Sequence, residues 1–338
     1  MASGSSLTDI SLSENPPHLA ALSDRAALAR RAGSGDTRFR WMALAAALAV
    51  VLIFAGVIGS LLIGAMPAFK AFGFGFIVDE AWRPTREHFG ALGSIYGTVV
   101  TSTIAMLIAL PVGIGVAIFL TELCPRPLRR PIGIAIELLA GIPSIIYGIW
   151  GLFVFAPWFQ THVQEPIINA VADVPVLGTI FGGAPFGIGI FTAGLILSIM
   201  ILPFISAVTR DVLETVPSVL KEASYGLGST SWEVMWKVCL PFCSTGVVGG
   251  AMLALGRALG ETMAVTFVIG NAHRIEPSLF APGTSISATI ANEFTEATSE
   301  LYTASLIEMG LLLFVITFIV LACAQLMLRR LEAGKGKK

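Results

Sequence analysis

The sequence predicts an all-α integral membrane protein with six transmembrane helices, and three observations carry that reading. Only 13% of the 338 residues are charged while 55% are hydrophobic, and the mean hydropathy is +0.82; a soluble domain carries about 25% charged residues. Six stretches stay apolar over the roughly 20 residues that a hydrocarbon core demands. The Lys and Arg residues fall unequally on the two sides of those stretches, as they do when one side is cytoplasmic.

Residues 1–40 are rich in Ser, Ala and Arg without sustained apolar periodicity and read as a cytoplasmic tail, flexible or loosely helical. The six predicted spans lie near 41–63, 94–120, 132–155, 186–208, 242–270 and 302–328, and 331–338 form a short basic tail. Residues 66–92 hold many Phe and Gly but also Lys70, Asp79, Glu80, Arg83, Arg86 and Glu87, so they are expected at the outer interface. Of 21 Lys and Arg residues, sixteen fall in the two tails and in the loops after spans two and four. Four (Lys70, Arg83, Arg86, Arg274) fall on the other side, and Arg257 falls inside span five. Both termini are therefore expected in the cytoplasm.

Pro111, Gly113, Gly115, Gly141, Pro143 and Gly148 lie within predicted spans. Close helix packing accounts for them, with a hinge at any one of them as the alternative. The four cysteines sit in or beside apolar spans or on the predicted inner side, so no disulfide is expected. Cys239 and Cys243 have no histidine or second cysteine pair nearby to make a zinc site. His18, His88, His162 and His273 form no metal or catalytic grouping.

The connection between spans four and five is the most informative polar stretch. Ser218 after Pro217 opens a short helix that Gly226 and Gly228 end. Thr230, with Glu233 three residues on, is a capping-box signature for a second one, expected to carry Trp232 and Trp236 and to stop at Pro241. Two short helices bearing large apolar residues on the wet side of a membrane suit a helix-in-groove contact with another protein.

The spacing in this loop is specific. Glu222, Ala223, Ser224, Gly228, Val238, Leu240 and Pro241 resemble the EAA-x3-G-x9-I-x-LP loop of ABC importer permeases, with Ser for the second Ala and Val for Ile. The stretches 256–265 (GRALGETMAV), 140–157, 214–228 and 95–98 are similar to phosphate-specific importer permeases, and more to the PstC-type than to the PstA-type subunit. The resemblance covers about residue 40 to the C-terminus. It implies a type I ABC importer permease architecture in a bacterial cytoplasmic membrane. Glu222, Ala223, Gly228, Trp232, Leu240 and Pro241 would couple to the ATPase. The implied partners are a second homologous permease, two ATP-binding subunits and an extracytoplasmic phosphate-binding protein, besides membrane lipid and with no nucleic acid. The chain has no GxxxxGK[ST] phosphate loop, so ATP and Mg belong to the partner ATPase and the chain itself is expected to hold no cofactor and to catalyse nothing.

Arg257 is expected deep in the hydrocarbon layer, where arginine costs about 2.5–3.5 kcal/mol on insertion scales. Glu261, four residues on, is its expected partner on the same helix face. In one reading Arg257 presents its five-donor fork to a passing phosphate while Glu261 holds the guanidinium in place; in the other the pair is a structural lock. Glu137 in span three either snorkels to the interface or meets a basic residue of another helix. Asn271, His273 and Arg274 lie just outside span five, within reach of a delivering protein. Permeases for molybdate or sulfate share the loop and remain alternatives, and a secondary transporter acting without an ATPase is the alternative from another class.

Overall fold

The computed structural model describes residues 17–335, with side chains over 38–326. Contacts divide the chain into two units that meet between Ser60 and Leu61. No strand occurs among the described residues; only isolated bridges join Arg83 to His88 and Gly270 to Gly283.

Helix α1 (Pro17–Phe72) carries an apolar window over Arg38–Phe72, none of it buried. Residues 17–40, expected as tail, are helical. Residues 1–16 and 336–338, the rest of the expected tails, lie outside the described residues. The next stretch does not span: α2 (Gly75–Val78) and a 3-10 turn (Pro84–Arg86) lead into α3 (Leu92–Ile118). A wider turn ends α3 at Leu123.

The third span departs from expectation. Helix α4 (Arg126–Ala140) ends at Gly141, and a new helical run over Ser144–Val171 leaves it at 88°. Pro143 is the cause: it has no N–H to continue the ladder and its ring crowds the preceding turn. The run comprises α5 (Ser144–Trp150), α6 (Ala156–Phe159) and α7 (Glu165–Val171), joined by wider π-type turns. The apolar run expected as one straight span is thus a bent pair of helices.

After α8 (Pro175–Phe181), α9 (Ile190–Glu214) crosses as one helix despite Pro203. Helices α10 (Ser218–Gly226) and α11 (Ser231–Val234) make the loop. Pro241 does not stop α11. A π-type turn over Met235–Cys239 carries it into α12 (Leu240–Leu259), so one run spans Ser231–Leu259. Pro241 follows that wider turn directly, where the ladder is already interrupted and its missing N–H is accommodated.

The predicted fifth span is also broken at its far end: α12 ends at Leu259, and the short α13 (Met263–Val268) begins after Gly260, Glu261 and Thr262. Helix α14 (Ile286–Glu293), unforeseen in the sequence, precedes the last span, α15 (Glu300–Lys335).

Small residues bring α3 and α9 together. A Cβ on Gly113 would stand 2.8 Å from Ile205 Cγ2, and one on Gly194 would stand 2.7 Å from Ile104 Cγ2. Ala105, Ala109, Ala193, Leu197 and Ile201 are fully buried between these elements. Close approach through small side chains is how helices associate where lipid removes the hydrophobic driving force. Hydroxyls on α3 satisfy themselves within the helix: Thr98 Oγ1 donates to Ser94 O at 2.8 Å and Thr101 Oγ1 to Gly97 O at 2.7 Å.

Candidate functional site

At one end of the bundle, the loop end, α10 stands apart from the packed core. Its Lys221 Nζ donates to Glu122 Oε1 at 2.5 Å, tying it to the end of α3. Glu222 and Ala223 face outward, as do Val219 and Leu227. Gly228 has φ +88°, a left-handed conformation that glycine adopts without steric penalty. Thr230 and Glu233 then form the capping box expected from their spacing, each side chain bonding the other's backbone N–H. Loop spacing and local structure agree here because caps and turns are decided within a few residues.

Trp232 and Trp236 take a different place from α10's outward face. Their rings lie 5.2 Å apart and line an apolar recess of about 480 Å³ against Leu110, Ile114 and Ile118 of α3. Leu240 is partly covered and Pro241 is exposed at the start of α12.

Arg257 occupies the last turn of α12, with its guanidinium carbon 4.6 Å from the ring centre of Phe204 on α9. Phe204 is ten residues from the Glu214 end of α9 and fourteen from Ile190. At 1.5 Å per residue that is about 15 and 21 Å, so Arg257 lies at mid-depth. The expected pairing with Glu261 is overturned: none of the ion pairs among the described residues involves Arg257. The helix that would have aligned the two ends at Leu259, and Glu261 lies in the break. There its Oε1 accepts from Ala264 N at 3.5 Å, and its carbonyl accepts from Ser287 Oγ of α14 at 2.6 Å. Gly260, a poor helix former, permits the break, and α14 holds it.

Glu137 meets a basic residue of another helix, as one of its two readings required: Arg210 Nη2 of α9 lies 2.7 Å from its Oε1.

At the opposite end, Trp82 Nε1 donates to Glu293 Oε2 at 2.5 Å, and the Tyr302 hydroxyl donates to the same oxygen. His273 Nε2 lies 3.0 Å from Glu293 Oε1 and its ring stacks on Trp82 at 5.4 Å. Burial disfavours ionisation of Glu293, but the bonds from His273, Tyr302 and Trp82 outweigh it and hold the carboxyl below its ordinary range. Arg274 pairs with Glu276, and Asn271 takes a left-handed φ of 54°. Trp82, Arg83, His273 and Arg274 help to line an open recess of about 620 Å³.

Residues 109–333 match the family described as the binding-protein-dependent transport system inner membrane component. A phosphate transport system permease protein PstC from Mesorhizobium japonicum is 62% identical over 93% of this chain and 96% of its own length. A PstC from Pasteurella multocida is 58% identical over 86% and 91%. The chain belongs to the PstC family of phosphate transport permeases. Among solved structures, a bacterial ABC transporter for alginate import matches with a TM-score of 0.58 at 18% identity, covering 87% of this chain and 97% of that one. An inward-facing MetNI methionine transporter matches at 0.53 and 18%, over 70% and 94%. At that identity the likeness speaks for the fold, which is that of ABC importer permeases.

Within this PstC-family fold, the residues singled out in the sequence form two clusters and one outlier. Glu222, Ala223 and Gly228 share the outward loop; Trp232, itself largely exposed, borders the recess beside α3; Arg257 ends α12 while Glu261 lies in the break after it. Two acids were missed. Glu293 left no sequence signal, because its three donors come from distant segments. Glu308 did leave one, a lone acid in the apolar last span: it is fully buried with neither carboxylate oxygen hydrogen-bonded among the described residues.

Proposed function

We propose that this chain is the permease subunit that carries inorganic phosphate inward across the cytoplasmic membrane, paired with a PstA-type permease. Two ATPase subunits, which bind the ATP and Mg, drive it, and an extracytoplasmic binding protein supplies the anion. The chain itself is non-catalytic, and both termini and the loop end face the cytoplasm, in line with the Lys and Arg distribution. The exposed α10, carrying Glu222 and Ala223, transmits ATPase closure through Lys221 to the end of α3. The single observation that carries the substrate reading is Arg257: a mid-depth guanidinium with an aromatic ring beside it and no carboxylate partner. An unpaired planar fork of donors is suited to a phosphate oxyanion, whereas a structural lock requires the partner that Glu261 does not supply. Glu261 instead bonds Ala264 and Ser287 at the break beside it.

Replacing Arg257 by alanine is expected to abolish phosphate uptake in cells or proteoliposomes while the permease–ATPase complex still purifies intact. Uptake at the wild-type rate would overturn the reading. Parallel competition with molybdate and sulfate decides between phosphate and its oxyanion relatives.

A further inference from the structure

We propose that the corner between α4 and α9 binds the phosphodiester headgroup of an anionic phospholipid of the cytoplasmic leaflet. The proposal rests on the orientation given above. Because α4 meets the run over Ser144–Val171 at 88°, α4 lies along the bilayer surface where that run crosses it.

At 3.6 residues per turn, Arg126, Arg130 and Glu137 share one stripe of α4 with Gly133, whose absent Cβ would lie 3.0 Å from Arg210 Nη1 of α9. Leu128 and Ala135 fall on the opposite stripe and Leu138 on the flank between the two, and Leu128 and Leu138 are 51% and 68% exposed. A surface helix with one basic stripe and one uncovered apolar stripe sits at headgroup depth, with its apolar side in the acyl region. Between the basic stripe and α9 lies a recess of about 310 Å³.

The guanidiniums around this recess are not equally free. Arg129 donates to Thr121 O at 2.5 Å, and Arg210 is engaged by Glu137 and Asp211. Arg130, on the recess wall, and Arg126, one turn before it and just outside the wall, are exposed and make no hydrogen bond or ion pair among the described residues. Two uncommitted forks beside uncovered Ile134 and Leu138 complement a phosphate that carries acyl chains. Basic pockets between helices at this depth suit such headgroups. Glu214 on the rim repels a doubly charged free phosphate more than a singly charged diester, which favours the lipid as occupant.

The test uses the complete permease–ATPase complex in phosphatidylcholine nanodiscs containing a minority of phosphatidylglycerol, with retained lipid read by native mass spectrometry. Wild type is expected to retain phosphatidylglycerol in preference. The Arg126→Gln/Arg130→Gln double variant is expected to lose that preference several-fold, and the Arg126→Lys/Arg130→Lys variant to keep most of it. Leu138→Gln, with all charges in place, is expected to retain less lipid of both kinds. An unchanged preference in the glutamine variant overturns the proposal; should that variant not assemble, unchanged retention in Leu138→Gln does so. Displacement of the lipid by inorganic phosphate would make this a free-anion site, and protection of Arg126 and Arg130 from phenylglyoxal only when ATPase is bound would make it a protein contact; either refutes the lipid. Phosphate uptake measured in parallel reports on the transport reading by itself, since lipid retention does not depend on it.

Discussion

The two ends of the bundle are held by opposite means. At the loop end, α10 is largely exposed, and among the described residues one ion pair, Lys221–Glu122, ties it to the end of α3. At the other end, Glu293 gathers three donors from three segments, Trp82, Tyr302 and His273, and Phe89 stacks on Tyr302 at 4.9 Å. Helix α14 links that grip to the membrane interior, since Ile286 N bonds Thr98 Oγ1 and Ser287 Oγ bonds the Glu261 carbonyl. One end is a tethered lever and the other a braced frame. Segments with few buried contacts open at low free-energy cost, whereas densely bonded ones open only with the whole. Under the proposed function, in which a partner drives the loop end, that asymmetry lets the lever move against the frame.

The largest expected effect comes from disturbing the frame. A Cβ on Gly97 would stand 1.8 Å from Thr284 O, a backbone atom that cannot swing aside. Gly97→Val is therefore expected to destabilise by about 3 kcal/mol or more, seen as a large loss of folded yield and thermal stability in detergent. Glu293→Ala comes next: it strands donors that serve a charged acceptor, at about 3 kcal/mol, and lowers the unfolding temperature without changing ATPase binding.

The same carboxyl gives the comparison a pH test. Its folded pKa is depressed, so its contribution is complete above the ordinary glutamate range and disappears as pH falls through the folded value. The stability difference between wild type and Glu293→Gln is expected to shrink below about pH 4.5, measured by thermal unfolding across pH; a constant difference would contradict the assigned bonding.

The smallest effect on stability is expected at the lever. Lys221→Ala removes one ion pair worth about 1 kcal/mol, yet transport per ATP hydrolysed is expected to fall well below wild type. Stability loss as large as that of Glu293→Ala, with coupling intact, would erase the contrast between the ends.

Much of this was legible from local chemistry. The capping box at Thr230 and Glu233, the opening of α10 after Pro217 and the left-handed Gly228 each depend on residues within a few positions. The long apolar helices α3, α9 and α15 were legible because apolar length alone marks a helix able to cross a membrane. Span three was misplaced because apolar length does not register direction: Pro143 turns the chain by 88° inside one apolar run. Trp232 was legible as a large exposed apolar residue, but not its side of the helix.

By itself, then, the sequence determined a membrane-spanning helical chain, its loop element and the charge at Arg257, since composition, spacing and capping act along the chain. Only the tertiary structure decided what that charge faces. Arg257 and Glu261 are one turn apart in an ideal helix, but the helix stops at Leu259, and Ser287 of α14, itself bonded to α3 and carrying Glu293, holds the break from outside the segment. A contact imposed by elements far apart in the chain leaves no local periodicity, and so the unpaired guanidinium at mid-depth appears only once those elements are packed.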